Sequence, residues 1–168
     1  MQESCYLEGT DALIEKFRNL PFLATLDRRY IKEILQLSKL RRYTPGESIT
    51  TEGCFDCWIY MLISGSVRVL IQNNEIAVID RIGDTFGELA VIDGASRSAT
   101  IEAITDTVCL ATDVSFIDRL SPADHSAFSA VYYRLFAEIV AQRLRDTSEE
   151  LARTKKELER LKKRKSGK

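Results

Sequence analysis

The sequence predicts a mainly β protein, a small sandwich or barrel with helices flanking it, on three observations. Short runs rich in β-branched and aromatic residues recur between about Arg41 and Asp113, roughly ten residues apart and split by turn residues. Apolar residues before this region fall at helical spacing. After it, no Gly or Pro interrupts the chain between Pro122 and Gly167.

The first region, residues 1–40, reads as N-terminal helices. Leu13, Ile14 and Phe17 form one apolar set, and Ile31, Ile34, Leu35 and Leu37 a second. Pro21 separates them, and Thr10-Asp11 is a helix start signal. The second region, residues 41–120, reads as the β core. Val67-Arg68-Val69-Leu70-Ile71 begins with the period-two alternation of a half-buried strand. Trp58–Ile63 is continuously apolar and reads as a strand buried on both faces, and Ile76–Ile79 as another strand. The breaks between strands are Pro45-Gly46, Gly53, Ser64-Gly65, Asn73-Asn74 and Gly83-Asp84.

The third region, residues 121–168, reads as one long helix started by Ser121-Pro122. Ala137, Val140, Leu144, Thr147, Leu151, Thr154, Leu158 and Leu161 alternate spacings of three and four. That is an a/d heptad seam, which predicts a coiled coil and a homodimer. Beyond it, residues 155–168 hold eight basic residues against two acidic ones, a basic tail on a chain whose net charge is only −1. The tail reads as a solvated helix end with cations placed well for the helix dipole.

At 168 residues, 45% hydrophobic and 29% charged, the chain has the size and balance of one soluble domain with appendages. No stretch approaches the roughly 20 apolar residues of a membrane span, and Met1–Cys5 lacks the pattern of a secretory signal. A cytoplasmic protein without membrane contact is the expectation, its four cysteines reduced. Cys54-Phe55-Asp56-Cys57 has the spacing of a redox or metal half-site, but it lies at a turn into a strand, and His125 is the only histidine. The pair reads as structural or accidental, with no metal site expected and His125 on the surface.

The segment with chemistry in it is Phe86-Gly87-Glu88-Leu89-Ala90-Val91-Ile92-Asp93-Gly94-Ala95-Ser96-Arg97-Ser98-Ala99-Thr100, lying between strands. A phosphodiester needs backbone N–H donors and a balancing cation. A short helical turn starting near Gly87 offers the donors, and the Arg97 guanidinium can bind two phosphate oxygens at once. Gly87 lets the backbone approach a ligand closely. Glu88 can accept a hydrogen bond from a ribose hydroxyl, and Ser98 can donate to a phosphate. On spacing alone the alternative stays open that Gly87 makes a turn while Glu88 and Arg97 form a surface ion pair.

This segment resembles the phosphate-binding cassette of the cyclic-nucleotide-binding domain family, whose pattern is F-G-E-L-A, a short variable stretch, then R-x-A. The similarity extends to Pro21-Phe22-Leu23, Tyr43–Ile49 and Met61–Val67, and covers about residues 15–150. The resemblance implies a double-stranded β-helix, or jelly-roll, of eight strands with a long C-terminal helix, and a cyclic-nucleotide sensor rather than an enzyme. It assigns Glu88 to the ribose 2′-hydroxyl and Arg97 to the cyclic phosphate. Phe86, Gly87, Leu89, Ala90, Ser98 and Ala99 complete the ligand-binding set.

Serine after the arginine is typical of the bacterial catabolite activator protein, threonine of eukaryotic cGMP-binding members, and alanine of protein kinase A regulatory subunits. Arg143–Glu149 also resembles the long helix of the catabolite activator protein, where a Thr-Ser pair contacts adenine across the dimer. Thr147 and Ser148 are therefore expected at the base, and cAMP is expected over cGMP. The catabolite activator protein continues from this helix into a winged helix-turn-helix, whereas 20 residues follow Ser148 here. No sequence-specific DNA binding is expected. The downstream partner is unknown. Open alternatives are a dimerisation module with a degenerate pocket, a redox sensor through Cys54 and Cys57, and a nucleic-acid adaptor using the basic tail.

Overall fold

A computed structural model describes residues 1–20, 23–24, 26–115 and 122–166, with side chains in the last span described for 133–134 and 136–163. The chain forms two compact units, Met1–Ser129 and Ala130–Lys168.

The first unit is mainly antiparallel β. Among the described residues it has nine strands: β1 (Gln2–Glu3), β2 (Ser38–Tyr43), β3 (Ser48–Thr50), β4 (Trp58–Ser64), β5 (Val67–Ile71), β6 (Asn74–Ile79), β7 (Thr85–Phe86), β8 (Thr100–Ala103) and β9 (Thr107–Asp113). One sheet runs β1-β2-β9-β4-β7 and the other β3-β8-β5-β6. Inward residues of both meet in one barrel-like core. Tyr43, Tyr60, Leu62, Phe86, Cys109 and Ala111 come from the first sheet, and Ile49, Val67, Ile101 and Ala103 from the second.

Local chemistry accounts for most of these elements. β4 carries four consecutive buried residues, Ile59–Leu62, as its unbroken apolar run demands. β5 and β6 are joined by Gln72 and Asn73 at φ 50° and 62°, the left-handed pair that a two-residue hairpin needs. The expected break at Asn73-Asn74 therefore sits one residue earlier, and Asn74 opens β6.

Helix α1 spans Asp11–Phe17 and buries Ile14 and Phe17; α2 spans Arg28–Gln36 and buries Ile31, Ile34 and Leu35. Thr10 is the α1 N-cap by position, yet its side chain makes no capping bond.

Two expectations are corrected. Residues 38–40 were expected at the end of a helix but open β2, because Ser38–Tyr43 pairs residue by residue with Thr107–Thr112. The eight-strand expectation had no strand at Gln2–Glu3, which joins the sheet edge opposite Arg42 and Arg41. Helix α3 (Glu88–Asp93) lies beside β4. The long helix α4 spans Pro122–Ser166. Ser121, most of the stretch between Asp113 and Pro122, Pro21, Phe22 and the His125 side chain lie outside the described residues. No helix among the described residues is long and apolar enough to cross a membrane.

Candidate functional site

The cassette is built outward from β7. Phe86 is buried and stacks on Tyr60 of β4, with ring centroids 5.4 Å apart and planes 11° from parallel. This contact anchors the strand end from which the chain turns. The turn is Gly87, at φ +86°, a conformation that side chains with a Cβ resist. It caps α3, which ends at Gly94 with φ +66°. Glu88 is fully buried, Ala90 is buried, and Leu89 is 44% exposed.

Arg97 follows three residues after the α3 C-cap and is 3% exposed. Its guanidinium is closely engaged. Nε donates to Asp56 Oδ2 at 3.0 Å, and Nη2 donates to Asp56 Oδ1 and to the Trp58 carbonyl. Nη1 donates to the Gly87 carbonyl. Gly87 is thus required twice, since a Cβ there would lie 2.6 Å from Arg97 Nη1.

The Arg97 main chain is clamped as well. Its N–H donates to the Cys54 carbonyl at 2.8 Å, and its carbonyl accepts from the Gly53 N–H at 2.9 Å. Asp56 in turn accepts from the Trp58 N–H at 2.9 Å. The β3–β4 loop and the cassette therefore hold each other through Arg97. The sequence alternative of a surface pair is corrected: Glu88 and Arg97 are both buried, and Arg97 carries the Asp56 carboxylate as a counter-ion, as a buried cation demands.

A second guanidinium stands on the same inner wall. Arg41 of β2 lies 3.8 Å over the Trp58 ring and donates to the Tyr60 hydroxyl at 3.0 Å. The Arg97 guanidinium is 6.0 Å from the Tyr60 ring centre. Burial raises the Tyr60 hydroxyl above the usual tyrosine range against the opposing pull of Arg41 and Arg97, and burial raises Tyr43 too. On β1, Glu3 bonds Lys39 at 2.9 Å and Arg41 at 3.1 Å, and the Lys39 hydrogen bond chiefly lowers its carboxyl below the usual range.

The structure places Phe86 at the end of β7, Gly87 at the turn and Glu88, Leu89 and Ala90 at the start of α3, and bonds Arg97 to Gly87 and Asp56. Ser98 follows on the exposed side, and Ala99 is half-buried, its carbonyl accepting from the Thr50 hydroxyl at 3.4 Å. Thr147 and Ser148 belong to the second unit, exposed on α4. Sequence reasoning missed Asp56, Trp58, Tyr60 and Arg41. Asp56 sits inside the Cys54–Cys57 segment, where nothing local marks it as a counter-ion.

Cys5, Cys54 and Cys57 are exposed free thiols, and burial pushes the Cys109 thiol up to about 12. Among the described residues no group of three or more His, Cys, Asp or Glu could hold a metal ion. The chemistry on offer is a buried, pre-oriented cation in a cassette that also buries the Glu88 carboxylate.

Comparison with known proteins agrees with this geometry. The chain matches the cyclic nucleotide-binding domain family over residues 40–123, half of its length. It is 38% identical over 81 residues to a cGMP-dependent protein kinase of Eimeria tenella, covering 48% of this chain and 8% of that one. It is 34% identical over 104 residues to a cAMP-dependent protein kinase regulatory subunit of Colletotrichum orbiculare, covering 61% and 27%. The chain thus spans well under a third of the length of either relative. The catabolite activator protein of Thermus thermophilus superposes with a TM-score of 0.61 at 27% identity, over 78% of this chain and 61% of that one. The fold, the cassette and the match over its β core place this chain in the cyclic nucleotide-binding domain family.

Proposed function

We propose that the chain is a non-enzymatic cyclic-nucleotide sensor, acting in the cytoplasm, with cAMP its ligand in preference to cGMP. The observation that carries this reading is the buried Arg97, fixed against Gly87 and Asp56 within a cassette that also buries Glu88. Arg97 binds the cyclic phosphate through its fork of donors. Glu88 accepts from the ribose 2′-hydroxyl, while Phe86, Gly87, Leu89, Ala90, Ser98 and Ala99 line the sugar-phosphate. Relatives named for cAMP and for cGMP both occur, so the preference for cAMP rests on Ser98 and on the Thr147-Ser148 pair assigned to the base.

Ligand binding shifts α4 between two arrangements, and α4 joins two copies into a homodimer whose state a downstream protein reads. Unchanged hydrogen-exchange protection of α4 with and without nucleotide would refute that shift.

The deciding experiment is calorimetric titration with cAMP and with cGMP, on the wild type and on Arg97→Ala and Arg97→Lys. Losing a two-point charge-assisted contact costs about 3 kcal/mol, roughly a hundredfold in affinity. Both variants are expected to lose most of the binding, since lysine keeps the charge but not the fork. Tighter binding of cGMP would keep the cassette and discard the role of Thr147 and Ser148. Binding of neither nucleotide would leave a dimerisation module.

A further inference from the structure

Two exposed thiols flank the carboxylate that holds Arg97. Cys54 and Cys57 are free and open to solvent, with Phe55 and Asp56 between them. Main-chain hydrogen bonds pin the two cysteines. The Cys54 carbonyl accepts from the Arg97 N–H at 2.8 Å, and the Cys57 carbonyl from the Val114 N–H at 2.9 Å.

What lies between them is held more lightly. Among the described residues Phe55 makes no main-chain hydrogen bond, and it is 75% exposed. Asp56 is held through its side chain, to Arg97 and to the Trp58 N–H. Residues 54–57 form no turn or bend. A disulfide needs its Cα atoms about 4.4–6.8 Å apart, whereas three residues of extended chain span about 10 Å. Joining Cys54 to Cys57 therefore folds Phe55 and Asp56 into a turn, and the Asp56 side chain moves with it.

We propose that Cys54 and Cys57 are a thiol modification site, oxidised to an intramolecular disulfide by a low-molecular-weight disulfide, and that closing it withdraws the Asp56 carboxylate from Arg97. One cysteine thiolate attacks the oxidant RSSR, forming a mixed disulfide and expelling RS⁻. The other attacks the cysteine sulfur of that mixed disulfide and expels the second RS⁻. One S–S bond breaks and one forms; the two electrons lost by the cysteines leave with two RS⁻, which take up the cysteine protons. An exposed disulfide that works against an ion pair is a labile one, reversed by reduced thiol.

The coupling runs both ways. Whatever takes Asp56 off Arg97 favours the disulfide, and the disulfide favours whatever replaces Asp56. The consequence for ligand rests on the sensor reading above: the oxidised form binds the cyclic phosphate more tightly, because the competing carboxylate has been drawn away.

The test uses the full chain with Cys5→Ser, equilibrated over a series of ratios of glutathione disulfide to glutathione and read by intact mass and peptide mapping. The expected product is the Cys54–Cys57 disulfide, lighter by two hydrogen atoms, carrying no glutathione and reversed by excess glutathione. Asp56→Asn should shift the midpoint about tenfold toward the disulfide, the lesser worth of one charge-assisted hydrogen bond. Arg97→Lys, which loosens the same pair from the other side, should shift it in the same direction. Thiols that stay reduced, or that only carry glutathione, overturn the site. A midpoint unchanged in both variants overturns the coupling to Asp56. None of these readings uses nucleotide, so they stand apart from the sensor reading. Calorimetry should then show cAMP bound about tenfold more tightly by the oxidised protein, and equal affinity of the two forms overturns the effect on ligand.

Discussion

Alanine at Gly87 separates two costs that the cassette imposes on one residue. The first is conformational. Gly87 sits at φ +86°, where a Cβ costs about 1–2 kcal/mol. In a domain of this size that lowers Tm by about 2–8 °C. The second is steric. The new methyl would lie 2.6 Å from Arg97 Nη1 and 3.2 Å from the Trp58 carbonyl oxygen. The guanidinium cannot swing aside freely, because Asp56, Gly87 and Trp58 hold it on three sides. Moving it forfeits at least one charge-assisted hydrogen bond, about 1.5–3 kcal/mol, and misaims the fork at the phosphate. Affinity for cyclic nucleotide should fall roughly ten- to a hundredfold.

Gly94→Ala supplies the control. Gly94 has φ +66°, but a Cβ there meets nothing within 4 Å. It carries the conformational cost alone, so Tm should fall by a similar amount while affinity stays within about threefold of wild type, the backbone cost being shared by free and bound states. Calorimetric titration and thermal unfolding of the three proteins read both quantities. Near-wild-type affinity in Gly87→Ala, or an equal loss in Gly94→Ala, would refute the placement of Arg97 as the anion contact.

Other outcomes follow from the same network. Asp56→Asn takes from Arg97 its carboxylate, whose side chain is 31% exposed, and should lower stability by about 1–3 kcal/mol. Because a phosphate would supply the missing anion, the rise in Tm on adding cAMP should be larger in this variant than in wild type; an equal or smaller rise would show that Asp56 and the ligand do not compete. Stability should also fall on the alkaline side. Tyr43, Tyr60 and Cys109 are held neutral by burial, with Cys109 pushed up to about 12. The unfolded chain loses these protons from about pH 9 and the folded chain later, so stability is complete below that pH and declines above it. Urea unfolding between pH 7 and 10.5 would contradict this if stability stayed flat or rose above pH 9.

What the sequence disclosed follows from how far each feature depends on distant partners. The bounds of β5 and the buried run of β4 are local properties of alternation and apolar continuity. The apolar faces of α1 and α2 were legible for the same reason, at the spacing of Ile14 and Phe17 and of Ile31, Ile34 and Leu35. Ser38–Leu40 was not, because its strand state comes from Ala111, Thr112 and Leu110 some 70 positions away. Gln2-Glu3 has no strand signature at all and is a strand only by lying against Arg41 and Arg42. The demand for glycine at position 87 could be argued from a turn, but its second reason, the Arg97 guanidinium, needed the fold. Asp56 was invisible for the same cause, since its partner lies 41 residues on.

The placement of Asp56 also bears on how the cassette can exchange one anion for another. A guanidinium has five N–H donors, and Arg97 spends one on each Asp56 oxygen and one on each of two carbonyls. The carbonyls of Gly87 and Trp58 are main-chain groups at the start of α3 and on β4, held in place by the turn and the strand. The Asp56 carboxylate sits at the end of a side chain that is 31% exposed, so it can leave without either main-chain group moving. On the proposed assignment of Arg97 to the cyclic phosphate, two phosphate oxygens would take the place of that carboxylate, while the carbonyls keep the guanidinium aimed. Recognition on this proposed route would need little reorganisation of Arg97, and it would favour an anion presenting two oxygens side by side over a single-point anion such as chloride.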